Sequence, residues 1–166
     1  MRRLLLGLVA CSVLGHAHWF FGNLYEGLVL APGWTSVAGG PLEVAGGVLA
    51  QGSPVRYYIP LTPLTVLVTA AAAVVGWRTR SAARRTLLIG LTLTTVAAAV
   101  TGYIVGQINL DLFFDAATSP DSREALADRW TLWNYVRLAT VGSALAALVA
   151  AWWTCAAEWF SGRTGG

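Results

Sequence analysis

Four long apolar stretches, separated by shorter polar segments, dominate the pattern of hydrophobic and polar positions along the chain. They run from about Leu4 to Leu30, Ile59 to Trp77, Thr86 to Leu110 and Leu132 to Trp153. Each reaches the length of ~20 residues that an α-helix needs to cross a bilayer. None shows the alternation typical of a membrane β-barrel. The pattern predicts an all-α protein in which residues 1–166 form one integral membrane domain of four transmembrane helices.

The composition supports a membrane protein. Apolar residues make up 56% of the chain and charged residues 11%, whereas soluble domains carry roughly 25% charged residues. The net charge is +3, but the basic residues are scattered and form no stripe that could follow a phosphate backbone. We therefore expect the lipid bilayer as the main partner, a bacterial cytoplasmic membrane as the location, and no binding of nucleic acid.

Arginine residues mark one side of the predicted membrane domain. They flank the apolar stretches at Arg2, Arg3, Arg78, Arg80, Arg84, Arg85 and Arg163. The positive-inside rule then predicts that both termini and the loop 78–85 are cytoplasmic and that the two longer loops face outward. The longer outer loop, between helices 1 and 2, is Gly-rich and largely uncharged. We expect this segment, Pro32 to Arg56, to fold over the end of the bundle as a lid.

Small residues within the apolar stretches favour close packing of the helices. Runs of alanine occur in the second and third stretches, and Gly142 and three alanines follow in the fourth. Such residues allow helix backbones to approach each other in a membrane. The sequence therefore predicts a four-helix bundle. The small residues are also compatible with a homo-oligomer.

Several polar side chains lie inside the apolar stretches, where a charge costs at least ~2.5 kcal/mol on insertion scales and usually serves a function. They are His16, His18, Asn23 and Glu26 in helix 1, Tyr103, Gln107, Asn109 and Asp111 in helix 3, and Trp130, Asn134 and Arg137 in helix 4. Most of them lie at a similar depth near the outer end of the predicted bundle, and so does Tyr58. They predict a polar pocket that opens outward.

Arg137 is the charge that most requires a partner within the bilayer. Glu26 or Asp111 can supply a carboxylate for it. Asn134 lies three residues earlier in helix 4, so both side chains project from one face. A structural clamp between helices would explain Arg137 alone. The number of polar neighbours favours a pocket instead.

The two histidines cannot share one site on a regular helix. Positions i and i+2 are ~200° apart, so at most one imidazole faces the interior. We favour His16, because it shares a face with Asn23. If a metal or haem is bound, His16 or His18 together with Glu26 is the main source of metal ligands.

The pattern Gln107-Ile108-Asn109-Leu110, followed by Arg129-Trp130 and Asn134-Tyr135-Val136-Arg137, resembles the anthrone-oxygenase-like family of small four-helix membrane proteins. In that family an Asn closes the third helix, and a Trp, an Asn or His and an Arg open the fourth. The resemblance implies oxygen-dependent oxidation of a small, often aromatic, natural-product intermediate. It implies Asn109, Trp130, Asn134 and Arg137 as site residues. If Asn109 faces the pocket in a regular helix, Gln107 and Asp111 face away, and Glu26 becomes the better partner for Arg137.

The leading hypothesis is a membrane oxidoreductase or oxygenase that acts on a small apolar substrate. A small proton-coupled exporter and a structural accessory subunit are the alternatives. For the enzyme, the candidate catalytic residues are Arg137, Asn134, Glu26 and His16, and the candidate substrate-binding residues are Asn109, Trp130, Tyr58, Gln107 and Asn23. Arg137 would stabilise developing negative charge, and Glu26 or a histidine would move a proton.

The distribution of arginine yields a test of topology. A reporter fused after Gly166 should be cytoplasmic, because seven of the eleven basic residues lie on the side of the chain termini. Activity of an alkaline-phosphatase fusion, which requires the periplasm, would contradict the predicted orientation.

Overall fold

The computed structural model describes residues 1–31, 57–113 and 119–161 of the chain. Its four long helices are α1 (Arg2–Tyr25), α2 (Leu61–Arg78), α3 (Arg84–Ile104) and α4 (Pro120–Ser161). Helix α1 continues as a π-helical turn (Glu26–Leu30). Helix α3 continues as a π-helical turn (Val105–Asn109) and a short helix (Leu110–Phe113). All four are long and apolar enough to span a membrane, and the described residues contain no strand. The predicted all-α class with four transmembrane helices is confirmed.

The helices form an up-down-up-down bundle. Each of α1 and α3 packs against both α2 and α4. Contacts of α1 with α2 fix their antiparallel direction, since Leu5 lies beside Gly76, Gly15 beside Thr65 and Gly22 beside Tyr58. Short connections join α2 to α3 and α3 to α4, as is typical of antiparallel neighbours in a bundle, whereas a longer segment joins α1 to α2.

Buried residues recur along the helices with the spacing of four and three residues that marks a left-handed bundle. In α1 and the turn after it they include Leu5, Val9, Ser12, His16, Trp19, Asn23 and Glu26. In α2 they include Thr65, Thr69, Ala72 and Gly76. In α4 they include Trp130, Asn134, Arg137, Val141, Ala144, Leu148, Ala151 and Cys155. Each helix thus presents one continuous seam to the interior.

The interior changes from apolar to polar along the bundle axis. At the end that carries Arg2 and Arg84, which we call the basic end, the core consists of apolar side chains such as Leu5, Val9 and Leu87. On α1 the seam becomes polar at Ser12, and on α2 it becomes polar at Thr69. The opposite end, which holds Glu26 and Arg137, is called the mouth. Among the described residues, the buried polar side chains other than Ser81 therefore lie from the middle of the bundle to the mouth.

A polar contact secures the basic end. The carboxylate of Glu158, near the end of α4, accepts hydrogen bonds from the Ser81 hydroxyl and the Ala82 backbone N–H, both at 2.7 Å. Arg80, in the same connection, adopts a positive φ of 52°. The short connection between α2 and α3 is thereby held against the last turns of α4.

Helix α4 begins well before the residue predicted from hydropathy. The apolar stretch predicted a start at about Leu132, but the helix begins at Pro120. The Ser119 hydroxyl accepts a hydrogen bond from the Ser122 backbone N–H, which is the arrangement of an N-cap followed by proline at the first helical position. With 42 residues, α4 is about 63 Å long and extends beyond the ~30 Å hydrocarbon core.

The other predicted boundaries lie close to those observed. Helix α1 already begins at Arg2, α2 begins at Leu61 and α3 at Arg84. The segment predicted to form a lid lies outside the described residues.

The contact between α1 and α2 yields a matched pair of variants. A Cβ atom at Gly15 would collide with the side chain of Thr65, whose hydroxyl is fixed by its bond to Leu61 O, whereas nothing lies within 4 Å of a Cβ at Gly7. Gly15→Ala should lower the unfolding temperature in detergent. Gly7→Ala should leave it unchanged or raise it, because alanine is the better helix former. Equal stability of the two variants would contradict this close approach.

Candidate functional site

A buried ion pair at the mouth joins α1 to α4. Arg137 Nη2 lies 3.0 Å from Glu26 Oε2, and the side chains are only 5% and 10% exposed. The carboxylate partner that the sequence predicted is therefore present, and it is Glu26. Such a pair must be completed by further hydrogen bonds, because two desolvated charges rarely recover their hydration energy alone.

Asn134 supplies part of that completion. Its Oδ1 accepts hydrogen bonds from Arg137 Nη2 at 2.7 Å and from Arg137 Nε at 3.2 Å. Its Nδ2 donates to the backbone carbonyl of Asn23 at 3.4 Å. The spacing of three residues that placed Asn134 and Arg137 on one face thus produces a direct contact, and the guanidinium is held in one orientation.

Two glycines in α1 and its π-helical turn make room for this arrangement. A Cβ atom at Gly27 would come within 2.7 Å of Asn134 Nδ2, and one at Gly22 would come within 3.0 Å of the Tyr58 hydroxyl. The absence of side chains at these positions lets α4 and the residues before α2 approach Glu26 from two sides.

Several buried polar atoms near the ion pair have no hydrogen-bond partner among the described residues. They are Trp19 Nε1, Asn23 Nδ2, Asn23 Oδ1, Tyr58 Oη, Thr62 Oγ1 and Asn109 Oδ1. Asn23 is fully buried and Trp19 is 1% exposed. Buried polar groups in folded proteins are almost always hydrogen-bonded, to protein, water or ligand. Their concentration in one half of the bundle marks a region prepared for polar partners from outside the chain.

The phenol of Tyr58 keeps its proton and is available as a hydrogen-bond donor. Burial, and then the negative charge of Glu26, raise the pKa of Tyr58 well above its usual range. The hydroxyl therefore keeps its proton beside the carboxylate. The structure places Tyr58 and Asn23, both predicted as binding residues, next to the ion pair on the side of α2.

The two histidines lie on different sides of α1, as their spacing predicted. His16 is fully buried, and its Nδ1 and Nε2 lie 2.8 Å from Ser12 O and from Thr94 Oγ1. His18 faces α2, where its ring stacks on Tyr57 with 4.0 Å between ring centroids. His16 therefore belongs to the interior of the bundle and His18 to the outer contact of α1 with α2.

The metal site considered from the sequence is not assembled in the described residues. They contain no group of three His, Cys, Asp or Glu side chains that could hold a metal ion. Glu26 lies ten residues beyond His16, or about 15 Å along a helix. The carboxylate is bonded to Arg137 and the imidazole to α3, so the two serve different contacts.

The end of α3 is irregular, which changes the orientation of its polar residues. Val105–Asn109 forms a π-helical turn, and such turns occur frequently at functional sites. Asn109 is half-buried, whereas Gln107 and Asp111 are exposed. Asn109 thus differs from Gln107 and Asp111 in exposure although the helix is irregular here, and Gln107 is not brought to the buried polar region.

Trp130 occupies the inward seam of α4, two turns before Arg137. It is 2% exposed and belongs to an apolar cluster with Ile104, Ile108 and Leu112. This position makes it part of the packing that covers the mouth side of the ion pair.

Sequence reasoning identified Tyr58 but missed the threonine hydroxyls of the interior. Thr62, Thr65 and Thr69 follow Tyr58 at spacings of four, three and four residues, and Thr94 contacts His16 from α3. The heptad spacing of these residues was the available signal, because a run of inward hydroxyls opposite Ser12, Trp19 and Asn23 indicates a polar interface rather than isolated threonines.

Comparisons of the chain with protein-family models, with curated proteins and with solved structures find no match.

The ion pair yields a stability prediction. Arg137→Ala leaves Glu26 buried without its cation and should cost about 3–5 kcal/mol of unfolding free energy. Adding Glu26→Gln should recover much of that loss, because no unpaired charge remains. The measurement is denaturant unfolding in detergent followed by tryptophan fluorescence.

Arg129→Ala is the matched control, since Arg129 is an exposed arginine of the same helix. If Arg129→Ala lowers the free energy of unfolding as much as Arg137→Ala does, the buried pair stabilises the protein no more than an exposed arginine.

Proposed function

We propose that the protein is a membrane-embedded oxidoreductase that oxidises a small, mostly apolar molecule at the mouth of the bundle. The observation that carries this proposal is the Arg137 guanidinium, held by Glu26 and Asn134 among buried polar atoms without partners. A cation fixed in a largely water-free environment is suited to stabilise an anion that forms during a reaction. The apolar helices around it suit a substrate that dissolves in the bilayer.

The chemistry that this arrangement supports starts with loss of a proton. An activated methylene group beside an aromatic ketone can release a proton to give a delocalised enolate, whose oxygen Arg137 would stabilise. Dioxygen, as the oxidant, then converts the methylene carbon to a carbonyl. The carbon loses two hydrogens and gains one oxygen atom, and the second oxygen atom leaves as water.

The individual residues have distinct parts in this proposal. Arg137 is the electrostatic group, and Asn134 orients it through two hydrogen bonds. Asn23 and Tyr58 would bind polar atoms of the substrate, since their buried polar groups lie beside the pair. Glu26 has the geometry of a charge partner for Arg137, so a water molecule would accept the proton.

The resemblance to anthrone-oxygenase-like proteins supports the same reaction class. It rests on Asn109, Trp130, Asn134 and Arg137, of which Asn134 and Arg137 make direct contact. Oxidation of a small aromatic natural-product intermediate is therefore the reaction that we propose to test first.

Two features count against a proton-coupled exporter. An exporter needs a carboxylate that is free to change its protonation state, whereas Glu26 is engaged by Arg137 at 3.0 Å. It also needs a route to both sides, and the basic end of the interior is filled by Leu5, Val9 and Leu87.

The proposal predicts dioxygen consumption by the purified protein in lipid nanodiscs. With an aromatic ketone that carries an activated methylene group, the native chain should consume one molecule of dioxygen for each molecule of carbonyl product. The double variant Arg137→Ala with Glu26→Gln should fold but lose this activity, because it lacks the cation.

Arg85→Ala, which removes an exposed arginine at the basic end, is the control and should retain activity. Full activity of the folded double variant would leave the ion pair as a structural clamp and would refute its catalytic part. Absence of activity in the native chain across a panel of such ketones would refute the proposed reaction.

A further inference from the structure

The hydrogen bonds of His16 allow its ring to take up a proton without any movement of side chains. Nδ1 faces the carbonyl oxygen of Ser12, so it must donate. Nε2 lies 2.8 Å from the Thr94 hydroxyl, and the same hydroxyl lies 2.7 Å from the carbonyl oxygen of Gly90. The hydroxyl hydrogen of Thr94 can therefore point to Nε2 or to Gly90 O.

These two orientations correspond to two protonation states of the imidazole. In the neutral ring, Thr94 donates to Nε2. In the protonated ring, Nε2 donates to Thr94 Oγ1 and Thr94 donates to Gly90 O. Both states are hydrogen-bonded at every nitrogen, although a buried polar group without a partner ordinarily costs about 1–3 kcal/mol.

Unpartnered polar atoms extend from His16 toward the mouth. Trp19 lies one turn above His16, with 6.1 Å between the ring centroids, and Asn23 lies one turn above Trp19. Thr62 and Tyr58 contribute hydroxyls from the side of α2. The contacts of Trp19 with Ala97 and Val141 are apolar. We call the set Trp19, Asn23, Tyr58 and Thr62 the polar column.

The interior is polar from the column toward the mouth and apolar toward the basic end. Toward the mouth it meets Glu26 and Arg137, the charged groups nearest to it on α1 and α4. Below His16 the seam continues through Ser12, whose hydroxyl is bonded to its own helix at Leu8 O, and then becomes apolar at Val9. The hydrogen-bond partners of His16, Ser12 on α1 and Thr94 on α3, are uncharged. The buried residues of α4 beyond Arg137 are apolar.

We propose that the polar column holds a chain of water molecules through which His16 exchanges a proton with the solution at the mouth, and only there. Water fits this role because the free atoms include both donors and acceptors, and each water can bond to two or more of them. In the transfer, Thr94 gives its hydroxyl proton to Nε2 and takes a proton from a protonated water of the chain, and the hydroxyl then turns to Gly90 O. The reverse step returns the proton to the mouth. The inference goes beyond the proposed function, since it requires no oxidation.

Exchange of the His16 Cε1 hydrogen for deuterium tests the proposal with water itself as the probe. This exchange requires both a protonated imidazole and access of heavy water to the ring. The protein is held in phosphatidylcholine nanodiscs in heavy water, in a His18→Gln background in which His16 is the one histidine left. Mass spectrometry of the peptide that contains residue 16 measures the exchange.

We expect the folded protein to exchange at His16 although the ring is fully buried. The double variant Asn23→Leu with Thr62→Val should lose this exchange, because the column is then lined by apolar side chains. Partial unfolding would speed exchange, so misfolding cannot imitate the expected loss. If the double variant does not fold, Thr62→Val alone supplies the same comparison.

A matched pair on α3 tests the proton switch. Thr94→Val removes the hydroxyl that serves both states of the ring and should abolish exchange at His16. Thr95→Val removes the neighbouring exposed hydroxyl, which bonds only to its own helix at Leu91 O, and should leave exchange unchanged.

Two outcomes would overturn the proposal. One is a native His16 that keeps its Cε1 hydrogen under conditions in which the unfolded chain exchanges it. The other is equal exchange in the native chain and in the folded column variant. Neither outcome depends on dioxygen consumption, so it can be distinguished from a failure of the proposed function.

Discussion

The ion pair between Arg137 and Glu26 is the interaction on which the mouth of the bundle depends. Two charges inside apolar helices are tolerable only when they neutralise each other and their remaining hydrogen-bonding positions are occupied. That requirement explains the position of Asn134, whose Oδ1 accepts hydrogen bonds from two of the three guanidinium nitrogens. It also explains Gly27, which gives Asn134 room to approach the π-helical turn after α1. Residues in α4 and in the π-helical turn after α1 thus serve the same contact, the ion pair between Arg137 and Glu26.

The apolar half of the bundle makes the polar half possible. Apolar side chains fill the interior at the basic end, and Glu158 fastens the connection between α2 and α3 to α4. Small residues let α1 and α2 approach, as Gly15 does beside Thr65. In lipid this close packing, rather than hydrophobic burial, holds helices together. The stable half sets the register of all four helices, and the register places the polar seams opposite one another.

Much of the fold, and the centre of the site, could be predicted from physical requirements of single residues. Apolar length predicts the helices, and the need of Arg137 for a carboxylate predicts a pair with Glu26 on α1 or Asp111 on α3. Hydropathy did not predict the start of α4, because residues 120–131 are mostly polar. The helix starts at the Ser119 cap instead. The contact of His16 with Thr94 depends on how two helices meet, which one sequence does not specify. The π-helical turn at Val105–Asn109 has no sequence signal of its own, yet it decides where Asn109 lies.

The unpartnered groups of the polar half are too costly to be a by-product of folding. Trp19, Asn23, Tyr58 and Thr62 are side chains for which apolar substitutes of similar shape exist. Each polar group left unpaired in the interior costs about 1–3 kcal/mol, and four of them together approach the whole stability of about 5–15 kcal/mol typical of a folded domain. A bundle that had only to fold would carry leucine and valine there, as it does at the basic end. Trp19, Asn23, Tyr58 and Thr62 lie between His16 and the ion pair, so we infer that water or a ligand satisfies their polar atoms there.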